Sequence, residues 1–293
     1  MFAPGIPLPP RAPEASPLGA RVLGDAEAPA TLILIGGIAQ IGASWAEVAS
    51  RVHAATGARV VLPDNPGICL SRHVPVPRDC EGHARLHAQT LASLGITGAV
   101  HIAGLSLGSM IAAALAAKLG PRSLSLTLCA GSCKESGRLR LAPFSILRMT
   151  GRALIGRGGL VGRLPELVQA RMLAEDPGLA ERLLALRRSE GGFAKGVLWR
   201  QLLAAARFEL VPLVPRLPHQ RVVVVGTADR LVPASNSGRM AMLLGCSCRE
   251  LAGHGHYLAL DGAAELAQVL VEGLKTSAGL PRKEGPRDAE KGT

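Results

Sequence analysis

Short apolar runs alternate along the chain with longer stretches in which apolar residues recur at helical spacing. This is the pattern of a mostly parallel sheet covered by helices on both faces. Runs at 31–35, 59–62, 99–103, 125–129 and 221–225, with a weaker one at 248–251, predict strands, and the segments 44–56, 81–94, 106–119, 234–244 and 262–274 predict helices between them. The alternation breaks once. About ninety residues separate Cys129 from Arg221, too many for an ordinary connection, and they carry helical patterns of their own. Asp176 followed by Pro177 reads as an N-cap and first-turn proline before an apolar stripe at Leu179, Leu183, Leu184 and Leu186, and 164–173 and 193–208 are further helix candidates. The insertion, at about 134–216, is expected to be a helical cap over the C-terminal edge of the sheet, where open α/β sheets bind ligands. The chain then divides into a flexible proline-rich arm (1–19), one α/β domain with its cap (20–274) and a disordered charged tail (275–293).

Composition narrows the function classes. A chain of 293 residues, 48% hydrophobic, can bury a large single core, and with aromatics at 2% that core must be aliphatic. The net charge of +11 raises nucleic-acid binding, but aromatic stacking platforms and a recognisable binding module are missing, so no nucleic-acid partner is expected. Fifteen of the basic residues but only seven acids fall between Lys134 and Arg216. The excess is therefore local, and a local field draws anionic substrates or membrane surfaces. The Arg-dotted apolar run 144–164 could make peripheral contact with an anionic membrane, and its plainer reading is a solvated basic face on the cap. Prolines at 4, 7, 9, 10, 13 and 17 replace the basic and apolar regions of an export signal. Six cysteines (69, 80, 129, 133, 246, 248) form neither a disulfide framework nor a zinc spacing, so a reducing, cytoplasmic location and no metal are expected.

The chemistry concentrates in Gly104-Leu105-Ser106-Leu107-Gly108, directly after the run 99–103 and before a helix of small residues. A tight strand-to-helix turn exposes such a serine at a helix N-terminus, where backbone dipoles favour developing negative charge. A seryl hydroxyl needs a base, and in this motif's fold an acid and then a histidine follow in chain order. Asp229, just beyond the run 221–225, is the well-placed acid, although it could instead cap the helix that follows. His256 is the preferred base, because Tyr257 to Asp261 makes a natural entry to the last helix, and His254 is the alternative. The oxyanion of acyl transfer needs two preorganised donors. The backbone N–H of Leu107 is one; Gly37, in the Gly36-Gly37 loop after the first strong run, is the expected second, unless that loop is a plain turn.

The Gly36-Gly37 loop, the stretch Asp64-Asn65-Pro66-Gly67, the elbow at Ser106, the Asp229 segment and the His256 segment resemble, in that order, the α/β-hydrolase superfamily over roughly residues 20–275. A glycine loop without histidine, Gln40 and Trp45 downstream and Asp64-Asn65 after the next strand are similar to bacterial esterases of the aclacinomycin-methylesterase-like group. The resemblance implies a serine hydrolase with a cap and no cofactor, and it favours His256, five residues before Asp261. The chain departs from the usual pattern at Pro66 and Cys69, where an arginine and a glycine are common, and at Ile35-Gly36, where His-Gly is. These changes bear on pocket shape. A small apolar ester or acyl compound is the expected substrate. Cleavage of a C–C, thioester or lactone bond, or acyl transfer, would use the same machinery, and a non-catalytic binding protein would keep the fold alone. Oligomeric state is left open.

Overall fold

Each apolar run folds as a strand of one seven-stranded sheet. The structure is a computed structural model, and it describes residues 7–13, 16–137, 139–143, 147 and 174–278. The strands are β1 (Ala20–Leu23), β2 (Thr31–Ile35), β3 (Arg59–Pro63), β4 (Val100–Leu105), β5 (Ser123–Cys129), β6 (Gln220–Gly226) and β7 (Ser247–Leu251), in spatial order β1-β3-β2-β4-β5-β6-β7. All neighbours are parallel except β1 with β3. The edge strand β1 is the element that the apolar pattern does not show. It has four residues, and one of them, Arg21, turns its guanidinium to the Pro9 carbonyl and to Glu190.

The period of two along the central strands sorts their side chains between two cores. Leu32 and Leu34 of β2 pack on one face with Val60, Leu62 and Ala103, beneath α1 (Ala46–Thr56) and the C-terminal helix Ala263–Ala278. Ile33 and Ile35 point to the other face, with Val61, Ile102, Leu126 and Leu128. That face is covered by α2 (Cys80–Ser93), α3 (Leu107–Leu119) and the helix Ala234–Leu244. Small side chains let α3 sit deep: it is buried from Leu107 to Ala117.

Two helices of the insertion are described, α4 (Leu179–Ser189) and α5 (Val197–Arg207). Helix α4 begins after Asp176, whose carboxylate pairs with Arg182 rather than capping. The expected helix 164–173 and the basic run 144–164, apart from Leu147, lie outside the described residues. The insertion is stitched to the body where the loop after β3 meets it: Ala194 donates to the Gly67 carbonyl (2.8 Å) and Cys69 to that of Gly192 (2.8 Å). At the N-terminus, Val22 donates to Pro10 (2.9 Å) and Ala12 to Ala20 (2.8 Å), so residues 10–12 lie along β1. Among the described residues no helix is long and apolar enough to cross a membrane.

The chain leaves β2 for β3 on one side and returns to β4 on the other. The C-terminal ends of β2 and β4 therefore flank a topological switch point, where the two outgoing loops part and a crevice opens.

Candidate active site

Ser106 stands at that crevice, between the end of β4 and the start of α3. Its backbone has φ +57° and ψ −118°, a conformation costly for a residue with a Cβ. The turn is possible because glycines stand two positions either side. A Cβ on Gly104 would lie 2.0 Å from the Gly108 carbonyl oxygen, and one on Gly108 would lie 2.1 Å from that of Ile35. The Ser106 N–H donates to the Cys129 carbonyl (2.8 Å), and Ala130 N–H to that of Val224 (2.8 Å), which ties together the ends of β4, β5 and β6.

Asp229 and His256 come together from the loops after β6 and β7. The Asp229 side chain is fully buried; one carboxylate oxygen accepts from the N–H groups of Leu231 (2.8 Å) and Val232 (2.9 Å), and the other lies 2.8 Å from His256 Nδ1. A carboxylate only accepts, so the proton of a neutral His256 sits on Nδ1 and leaves Nε2 as a free base. The histidine loop is held from below by Gly255 N–H donating to Asp261 (2.8 Å) and from the side by Ala228 N–H donating to the His254 carbonyl (2.9 Å). His254 itself turns away, to 3.5 Å from Glu265. Among the described residues no hydrogen bond joins the Ser106 hydroxyl to His256.

The glycine loop after β2 approaches the nucleophile closely: a Cβ on Gly37 would touch Ser106 Cβ at 3.1 Å. Three side chains clamp this loop. Asn65 Nδ2 donates to the Gly36 carbonyl (2.7 Å), Gln40 Oε1 accepts from the Gly37 N–H, and Gln201 Oε1, from α5, accepts from Ala39 N–H (2.9 Å). The Gly37 N–H expected to hold an oxyanion is thus engaged inside the loop. The N–H groups of Ile38 and Leu107 have no hydrogen-bond partner among the described residues, and both residues line the crevice beside Ser106.

Two members of this support, His87 and Gln201, were not singled out from sequence. His87, wholly buried on α2, donates from Nε2 to Asn65 Oδ1 (2.9 Å) and so orients the amide that holds Gly36. Burial drives its pKa down to about 3, which keeps the ring neutral. Asp64 braces the next layer, accepting from Gly42 N–H (2.6 Å) and Leu70 N–H (3.0 Å), and burial pushes its carboxyl up to about 7. Tyr257, next to His256, is buried with its hydroxyl toward Ser44 and Gln40, which links the histidine loop to the glycine loop. The Asp64-Asn65 pair was visible in sequence; that Asn65, His87 and Gln201 converge on one loop was not, because they come from three distant segments.

The crevice opens into a cleft of about 760 Å³. Its lining is mostly apolar, with Ile38, Leu107, Met110, Leu203 and Trp199 among it, and Ser106 and Arg140 are among its few polar residues. Among the described residues no cluster of side chains is arranged to hold a metal ion.

The fold has counterparts of known structure. The chain is similar to an esterase from Thermogutta terrifontis (22% identity, TM-score 0.71, covering 89% of this chain and 93% of that one). It is also similar to an enol-lactonase from Burkholderia xenovorans (20%, 0.71, 91% and 100%) and to a meta-cleavage product hydrolase from Pseudomonas fluorescens (18%, 0.70, 92% and 98%). At these identities the likeness is one of fold. No curated protein matches the chain. The alpha/beta hydrolase family matches residues 32–269, which include the glycine loop, Ser106, Asp229 and His256, and the chain belongs to that family.

Proposed function

We propose that the protein is a serine hydrolase that cleaves a carboxylic ester through Ser106, His256 and Asp229. The observation that carries this reading is the 2.8 Å Asp229–His256 hydrogen bond at the same sheet edge as a serine held at positive φ. In the first step Ser106 Oγ bonds to the ester carbonyl carbon while its proton passes to His256 Nε2. The resulting oxyanion is received by the N–H groups of Leu107 and Ile38, the donors left free at the crevice. Gly37, the donor expected from sequence, is replaced by Ile38 because Gln40 already accepts from its N–H. Collapse breaks the ester C–O bond, the alcohol takes the proton from His256, and water repeats the sequence on the acyl-enzyme to release a carboxylic acid. This reading requires Ser106 Oγ and His256 Nε2 to come within hydrogen-bond distance on substrate binding, as is common for catalytic hydrogen bonds that form fully only with substrate bound. The apolar wall of the cleft suits an apolar acyl or alcohol group.

The test is labelling with a fluorophosphonate probe, with p-nitrophenyl ester turnover followed in parallel. The reading requires labelling that disappears in Ser106→Ala, and turnover that collapses in His256→Ala but persists in His254→Ala. A folded wild type that neither labels nor hydrolyses any ester would leave a binding role on the same fold.

A further inference from the structure

Arg140 is a half-buried cation with no salt-bridge partner among the described residues. It lies in the segment between β5 and α4 and lines the cleft that holds Ser106. Its Nε donates to Ser132 Oγ (3.2 Å), Nη1 to the Ala206 carbonyl (3.2 Å), and Nη2 to the Ser132 carbonyl (3.2 Å) and Met110 Sδ (3.7 Å). Every one of these acceptors is neutral. Among the described residues no carboxylate lies within salt-bridge distance of it.

The charged groups around it are otherwise engaged. Lys134 pairs with Glu209 (2.6 Å). Glu135 spends both carboxylate oxygens on the N–H groups of Leu210 and Val211 (2.9–3.2 Å). The thiols of Cys80 and Cys133 are pushed up by burial and remain neutral. Burial also holds the Arg140 guanidinium below its ordinary pKa, outweighing the opposing attraction of the nearby Glu135 carboxylate.

Its free hydrogens point to a ligand. A guanidinium has five N–H donors. The bonds above leave one on Nη1, and the sulfur of Met110 is a weak acceptor that a better one displaces. One hydrogen on each Nη is thus open to a stronger acceptor, and a carboxylate is the acceptor whose two oxygens can engage both. Met110 is one turn along α3 from Ser106, a rise of about 6 Å, so an anion there leaves room for a reacting carbonyl at the seryl oxygen.

We propose that Arg140 is a substrate-binding residue that receives the carboxylate of an amphipathic ester, one whose apolar part lies against the Met110, Leu203 and Trp199 wall while its carbonyl sits at Ser106. The substrate class is then a half-ester or carboxylated ester, narrower than the apolar ester taken above. This inference rests on the serine-hydrolase reading for its orientation, and the experiment has one arm that does not depend on turnover.

Two matched pairs of esters are compared, differing in the carboxylate alone. Mono-p-nitrophenyl glutarate against p-nitrophenyl pentanoate places the charge on the acyl side; 4-acetoxybenzoate against phenyl acetate places it on the leaving group. In the wild type the charged member of at least one pair has the higher kcat/KM, by roughly tenfold or more, as a charge-assisted hydrogen bond supplies. Arg140→Met abolishes that ratio and Arg140→Lys keeps part of it. A merely structural role for Arg140 would lower both members of a pair together and leave the ratio alone. In the independent arm, octanoate is titrated into Ser106→Ala, and its affinity falls about tenfold or more when Arg140→Met is added. Octanoate binding that depends on Arg140 in a protein that hydrolyses no ester would sink the catalytic reading and the ester as ligand, and support Arg140 as a carboxylate-binding residue. Preference for the neutral ester in both pairs, or a ratio and an octanoate affinity unchanged in Arg140→Met, would overturn it.

Discussion

Replacing Asp229 by Asn tests how the base is set. In the structure one Asp229 oxygen is pinned by two backbone N–H groups, of Leu231 and Val232, at 2.8 and 2.9 Å. Those donors accept no substitute for an oxygen, so the Asn carbonyl takes that position and its NH2 group is turned to His256 Nδ1. An NH2 can only donate; Nδ1 must then accept, and the imidazole proton moves to Nε2, the nitrogen that has to take the seryl proton. The backbone anchors survive and the stability cost is small, about 1 kcal/mol for one charge-assisted hydrogen bond exchanged for a neutral one. The catalytic cost is large. A serine enzyme whose histidine is held in the wrong tautomer loses about 10⁴-fold in kcat, close to 5.4 kcal/mol of barrier. The assay is p-nitrophenyl ester turnover with the rate of fluorophosphonate labelling, alongside thermal unfolding. Asp229→Ala serves as the contrast, because it strands the two N–H groups and so costs more stability, about 1–3 kcal/mol for each buried donor left unpaired. If Asp229→Asn keeps turnover within tenfold of wild type while Ser106→Ala is inactive, Asp229 does not orient the base.

Three further outcomes follow from the packing. Gly104→Ala is expected to lose at least about 3 kcal/mol of stability, since its Cβ would lie 2.0 Å from the Gly108 carbonyl, whereas Gly98→Ala, with open space around it, stays within about 0.5 kcal/mol; thermal unfolding of both reads this. Asn65→Ala leaves the Gly36 carbonyl and the His87 ring N–H unpaired, and should cost about 3 kcal/mol in urea unfolding and lower kcat more than it raises KM as the glycine loop loosens. Asp64 makes stability depend on pH. Its folded pKa, pushed by burial from 3.8 to about 7, means that the folded chain holds a proton that the unfolded chain releases between those values. Its contribution is therefore full at low pH and is lost as pH rises to about 7, with a slope of at most about 1.4 kcal/mol per pH unit, and Asp64→Asn should remove that slope from a pH series of unfolding curves.

The amino-acid sequence by itself determined whatever depends on neighbours along the chain. Continuous apolar runs at 31–35 and 221–225 are enough to specify strands buried on both faces, and the elbow is legible because glycines two positions either side of Ser106 permit the close approach of strand and helix that such a turn needs. The edge strand β1 escaped notice because its stability comes from pairing with β3, not from its own four residues. What the tertiary structure decided is the set of partnerships between distant segments. Two histidines two residues apart are nearly equivalent in sequence, and packing brings His256 to Asp229 and turns His254 to Glu265. The loop Gly36 to Gln40 shows its glycines in sequence, but which of its N–H groups stays free depends on where Asn65, Gln40 and Gln201 arrive. Arg140 is one of many basic residues in the sequence, and only the fold half-buries it beside Ser106 with neutral hydrogen-bond acceptors. Local propensity acts through backbone sterics over a few residues, while hydrogen-bond direction and desolvation depend on atoms that only the folded chain brings together.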